Sequence, residues 1–155
     1  MNPGNKRMIR RTENGFTLIE VLIALVVVSV GMLGIAGLYV HGMQAGRTAM
    51  FSHHAVTLAG DVADRIRANP RAGVAYAGTG ADNNCVAAGV DCDEQQMAAH
   101  DIFTWEQQAR DFLPNGTVTV QFDGAALPPE YTITIGWTEP GENPTYVVTI
   151  PVLGI

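Results

Sequence analysis

Between Phe16 and Val40 the chain runs 25 residues with a single formal charge, Glu20. No other feature so narrows what it can become. A helix needs about 20 apolar residues to cross a bilayer, so the run reads as a membrane-spanning segment. Glu20 makes it unusual, because an ionisable group inside an apolar span calls for a partner. One is available if the backbone is cut after Gly15. That cut creates an α-amine on Phe16, four residues before Glu20, and positions i and i+4 share a helical face. Glu20 also falls in the first turn of the expected helix, where the helix dipole favours an anion.

The stretch Gly15-Phe16-Thr17-Leu18-Ile19-Glu20-Val21 resembles the cleavage and assembly motif of bacterial type IV prepilins at every position. The resemblance implies cutting after Gly15 by a prepilin peptidase and N-methylation of Phe16. It also implies that Glu20 compensates an N-terminal charge as the subunit enters a helical filament. An ordinary single-pass anchor, with Glu20 as an interfacial acid, is the plainer alternative. A secretory signal peptide fits less well, since its apolar region is normally shorter and ends at a small-x-small site. Here Gly31, Gly34, Ala36 and Gly37 match such a site only loosely.

Charge is unevenly divided. Residues 1–15 hold Lys6, Arg7, Arg10 and Arg11 against Glu13, a balance of +3, and the remainder carries −9 from five Arg and fourteen acids. Basic residues ahead of an apolar span stay cytoplasmic, which places the C-terminal part outside. An acidic exterior domain without a basic stripe argues against nucleic-acid binding. The two cysteines, Cys85 and Cys92, lie in this exported part. In an oxidising compartment an even pair invites a disulfide, and closing this eight-residue loop stabilises by roughly 2.5 kcal/mol. Two reduced thiols, or half a metal site, are the other readings.

Taken in order, residues 1–15 form a leader. Residues 16–40 are the membrane and filament-core half of a long helix, and 41–69 its exported half. Residues 70–155 form a globular head. The helix is expected over 16–68, about 80 Å at 1.5 Å per residue. In its second half Val56, Ala59, Ala63 and Ile66 make an apolar stripe, with Asp61 and Arg65 paired on a polar side. Asp64 and Arg67 extend a salt-bridged surface. Asn69-Pro70 stops the helix. Gly31, Gly34, Gly37, Gly42 and Gly46 allow either close helix packing or local bending. Many major pilins carry proline near the position of Gly37, and here the chain departs from them.

Residues 71–96 read as a loop tied by the cysteines. A second helix follows over about 95–112, with Ile102, Trp105, Ala109 and Phe112 facing a core. Pro114-Asn115-Gly116 is a turn. Three strands are expected at Thr117–Phe122, Tyr131–Trp137 and Thr145–Leu153, alternating in polarity and separated by Asp123-Gly124 and Glu139-Pro140-Gly141. Two helices and then three strands give an α+β, pilin-like fold: a long N-terminal helix packed on an antiparallel sheet.

The resemblance narrows further along the chain. The segment from Leu58 to Pro70, the close cysteine pair, Asp101-Ile102-Phe103-Thr104-Trp105 and the Leu113-Pro114-Asn115-Gly116 turn resemble a minor pilin subfamily, the type IV pilus modification proteins (PilV). That implies a low-copy subunit that helps start assembly near the pilus tip. Its partners are the prepilin peptidase, other minor and major pilins, and the inner membrane before assembly. A type II secretion pseudopilin and a tip adhesin are the alternatives.

No enzyme is expected, and no cofactor or metal. His53 and His54 are adjacent, not spaced i, i+4 as a zinc pair commonly is. His41 and His100 follow no nucleophile motif, and the glycines lack the Lys-Ser/Thr of a phosphate loop.

Overall fold

The computed structural model describes residues 15–87 and 89–152. The expected leader therefore lies outside the described residues except for Gly15, and so does Leu153 of the third expected strand. The elements are α1 (Leu18–Ala68), a 3-10 helix (Pro70–Ala77), α2 (Glu94–Phe112), β1 (Thr117–Asp123), β2 (Glu130–Gly136) and β3 (Thr145–Pro151). The chain divides into two units, one ending at Met43 and the other beginning at Gln44.

In the first unit every described residue is exposed. Its part of α1 is apolar on all sides, with no core of its own to cover it. The helix begins at Leu18 rather than at the expected Phe16, because Thr17 serves as its cap. The Thr17 Oγ1 accepts the Glu20 N–H at 3.3 Å.

The second unit holds the core. Its part of α1 buries Phe51, Ala55, Leu58, Ala59, Val62, Ala63 and Ile66. Val56, expected in the stripe, is 47% exposed. Ala55 replaces it, since positions three and four before Ala59 both fit a 3.6-residue period. Helix α2 starts at Asp93 with a capping box. The Asp93 carboxylate accepts the Gln96 N–H at 2.7 Å, and Gln96 Oε1 accepts the Asp93 N–H at 3.1 Å. Ile102, Trp105 and Ala109 are buried as expected, but Phe112 is 58% exposed and Leu113 takes its place in the core. The same three-or-four ambiguity operates here, decided by the chain turning into extended backbone at Leu113. Phe112 stacks on His54 instead, ring centroids 5.3 Å apart.

The sheet is an antiparallel meander in the order β1-β2-β3. Ile133 stands opposite Val120 on one side and Val148 on the other, and Ile135 opposite Val118 and Tyr146. Those alternate residues face the core, so β2, paired on both edges, buries its inward side chains most deeply. Gly116 makes the junction between α2 and β1 possible, because a Cβ there would lie 2.0 Å from the Ala109 carbonyl oxygen.

The expected loop 71–96 opens within the 3-10 helix and ends within α2, with no helix or strand among the described residues between them. Within the 3-10 helix Ala72 and Tyr76 are buried. Tyr76 stacks on Trp105, and its hydroxyl donates to Asp101 Oδ2 at 3.0 Å. Asp61 and Arg65 pair as expected, at 3.2 Å, but they do not form a plain solvent face. Asp61 Oδ2 accepts the Trp105 indole N–H at 3.0 Å, and the Arg65 guanidinium donates to Asp101 Oδ1 at 2.7 Å. Burial by itself would lower the Arg65 pKa, yet Asp101 and Asp61 outweigh it and hold the guanidinium above its ordinary value. Burial, aided by Asp101, also raises the Tyr76 phenol, which stays a neutral donor. Asp64 and Arg67, 3.1 Å apart, do form the exposed pair expected of them.

Asp101→Ala is expected to destabilise the protein by about 3 kcal/mol. It leaves Arg65 and Tyr76 without their buried acceptor, and solvent at the partly exposed guanidinium keeps the loss at the low end of the range. Asp64→Ala, on the surface, should change stability by less than about 0.5 kcal/mol. Urea unfolding of full-length protein in detergent, followed by tryptophan fluorescence, compares the two. Equal stability losses for both variants would refute the role given to Asp101.

Candidate functional site

The described chain enters at Gly15, and Gly15, Phe16 and Thr17 are not helical. The bond between Gly15 and Phe16 therefore lies ahead of the first helical residue, and Phe16 is 82% exposed. Nothing among the described residues requires glycine at position 15. A Cβ there would meet no described atom within 4 Å.

Three residues into α1 stands Glu20, exposed, with its backbone N–H engaged by Thr17. The Thr17 carbonyl oxygen also accepts the N–H groups of Glu20 at 3.1 Å and Val21 at 3.3 Å. This first turn thus places an acid at the positive end of the helix dipole. Downstream of Glu20, α1 offers Val21, Leu22, Ile23 and Leu25 to the surroundings. This is the one helix among the described residues that is long and apolar enough to cross a membrane. Gly15 and Phe16 thus lie just ahead of α1, and Glu20 stands in its first turn. The cap that fixes that end was missed at the level of sequence, although Thr17-x-x-Glu20 has the order of a capping box.

Cys85 and Cys92 form a disulfide, with sulfurs 2.04 Å apart. The segment ahead of it crosses α2 closely. Ala81 N–H donates to the Ala99 carbonyl at 2.9 Å, and Asn83 Nδ2 to that of Gln96 at 2.9 Å. Gly80 permits the crossing, since a Cβ there would lie 2.7 Å from the Phe103 nitrogen.

Elsewhere the second unit carries polar clusters of a structural kind. Glu139 accepts from Thr48 Oγ1 at 2.6 Å and from the Trp137 indole N–H at 2.8 Å, which ties the β2–β3 turn to α1. Those two hydrogen bonds, Thr48's first, hold the Glu139 carboxyl below its ordinary pKa. The stabilisation from this tie is therefore present above the ordinary carboxylate pKa and is lost as pH falls from there through the lowered value. His100 is buried, with Nδ1 3.4 Å from Asp82 Oδ1. His53 and His54 have ring centroids 6.2 Å apart. No group of three or more His, Cys, Asp or Glu among the described residues is arranged to hold a metal ion.

Residues 10–36 match the family model of the prokaryotic N-terminal methylation motif. Residues 37–103 match the model named Type IV pilin Tt1218. Residues 37–103 are thus similar to a type IV pilin, and residues 10–36 to a methylation motif. No curated protein and no solved structure matches the chain.

Thiol labelling of the unfolded, non-reduced protein should find neither Cys85 nor Cys92 free. Reduction should lower unfolding stability by about 2.5 kcal/mol, the chain-entropy constraint of an eight-residue loop. Two labelled thiols before reduction would remove the tie from the 81–93 segment.

Proposed function

We propose that this chain is a prepilin and, once processed, a minor subunit of a type IV pilus: a structural protein that helps start assembly near the tip. The observation that carries the reading is the exposed Gly15–Phe16 peptide ahead of an apolar helix with Glu20 in its first turn. A Cβ at position 15 would meet no described atom within 4 Å, so packing does not call for glycine there and the demand for a small residue comes from outside. A prepilin peptidase closing on the backbone is such a demand. Cleavage leaves the Phe16 amine, which a methyltransferase then modifies.

In this reading residues 16–40 hold the subunit in the inner membrane and later line the filament core. The basic leader stays cytoplasmic, and the head lies on the outer side, where Cys85 and Cys92 meet oxidising conditions. Other minor and major pilins are the partners. The minor, pilus-modification-type assignment draws on the ordered segments from Leu58 to Pro70 and from Asp101 to Gly116, together with the disulfide. Glu20 supplies the assembly step. Lipid lets an interfacial acid snorkel to water, whereas a filament core buries it, so amine and carboxylate must pair there.

Intact-mass measurement of membrane-extracted protein should give a chain beginning at Phe16 with one added methyl group. A bulky residue in place of Gly15 should leave precursor. A mature chain beginning at Met1 would sink the processing claim.

Glu20→Ala should leave cleavage, insertion and folding of the head intact. It should nevertheless sharply deplete the protein from sheared pili, because an unpaired buried amine costs about 3–5 kcal/mol. The comparison is the ratio of pilus-bound to membrane-bound protein for wild type and variant. Equal ratios would defeat the role of Glu20. Wild-type protein absent from pili, with secretion blocked by its deletion, would replace this reading with a secretion pseudopilin.

A further inference from the structure

We propose that Thr17 is a positioning residue for processing: its hydroxyl caps α1 and thereby keeps the Gly15–Phe16 peptide out of the helix. The inference rests on the reading of the chain as a prepilin. Hydrolysis adds water to the Gly15 carbonyl carbon, breaks its bond to the Phe16 nitrogen and leaves a proton on the new amine. Such chemistry needs a peptide whose carbonyl and N–H are free of a helical ladder, as exposed, non-helical backbone is.

Where the helix starts therefore matters, and residue type alone permits two starts. Asn14 and Thr17 are both cap formers, and Asn is the stronger of the two. A start at Asn14 makes Gly15, Phe16 and Thr17 the first helical turn and draws the scissile peptide into it. A start at Thr17 leaves residues 15–17 outside, and that is the arrangement found. Thr17 Oγ1 takes the Glu20 N–H at 3.3 Å, and the Thr17 carbonyl takes the N–H groups of Glu20 and Val21.

The residues at the third helical position favour that start. Counted from Thr17 this position is Glu20, an acid in the first turn and the partner type of a capping box. Counted from Asn14 it is Thr17, which is neither.

The test uses full-length precursor in detergent with purified prepilin peptidase, with initial cleavage rates read by intact mass. Thr17→Ser and Thr17→Asn keep a capping side chain and should be cut within about twofold of wild type. Thr17→Val keeps the shape but loses the acceptor, and should be cut about fivefold more slowly, the equivalent of a cap worth about 1 kcal/mol. Adding Asn14→Ala to Thr17→Val should restore the rate by removing the competing start. Amide exchange of Glu20 in uncut precursor should quicken in Thr17→Val and not in Thr17→Ser. A Val variant cut like wild type, or an Asn variant cut slowly beside a fast Val variant, overturns the proposal, the latter showing that the peptidase reads side-chain shape. Wild-type precursor left whole overturns the prepilin reading and with it the role of Thr17 in processing, while the exchange result still decides whether the cap exists.

Discussion

The Arg65 guanidinium, 2.7 Å from Asp101 and 3.2 Å from Asp61, is the interaction on which the second unit depends. It joins α1 to α2. Through the Tyr76 hydroxyl on the other oxygen of Asp101 it also draws in the 3-10 helix. The Trp105 indole closes the set from below by donating to Asp61. A buried carboxylate such as Asp101 is tolerable only with all its partners present, so these elements stand or fall together. Aliphatic packing alone would allow α2 to slide along α1. Directed hydrogen bonds choose one register.

The first unit obeys the opposite rule. From Leu18 to Met43 every residue of α1 is exposed, and most are apolar. An exposed apolar surface of this length is of the kind that meets lipid or another chain. Glu20 is the one formal charge between Leu18 and Met43, and its position in the first turn is where an anion is least unfavourable. The two halves of one helix thus serve different solvents: the head packs its half against α2 and the sheet's connections, while the other half keeps its apolar face for something else.

The type and order of the elements were legible in the sequence. Asn69-Pro70 stopped α1, the spacing of Ile102, Trp105 and Ala109 marked α2, and alternation in Tyr131–Gly136 placed Tyr131, Ile133 and Ile135 inward. Val56 and Phe112 were misplaced for one reason: a helical period of 3.6 cannot tell a neighbour three residues away from one four away. Ala55 and Leu113 took those places because the facing element lay on their side. The 3-10 helix was invisible for another reason. Eight residues with two buried side chains carry no periodicity, and Tyr76 is held by residues distant in the chain.

By itself the sequence determined the local properties: an apolar span interrupted at Glu20, a glycine before Phe16, helix stops, strand alternation and a cysteine pair close enough to join. Each depends on residues within a few positions of one another, so composition and spacing suffice to state them. Only the tertiary structure decided which carboxylate was to be buried, Asp101, and which was to be half-buried, Asp61. Asp61, Asp64 and Asp101 look alike in sequence, yet Asp64 meets only Arg67 on the surface. Asp61 and Asp101 are held in place by Trp105, Arg65 and Tyr76, at separations of up to 44 residues for the Asp61–Trp105 contact. Such partners meet only when the helices pack, because burial makes a polar group's energy depend on neighbours that the local chain does not contain.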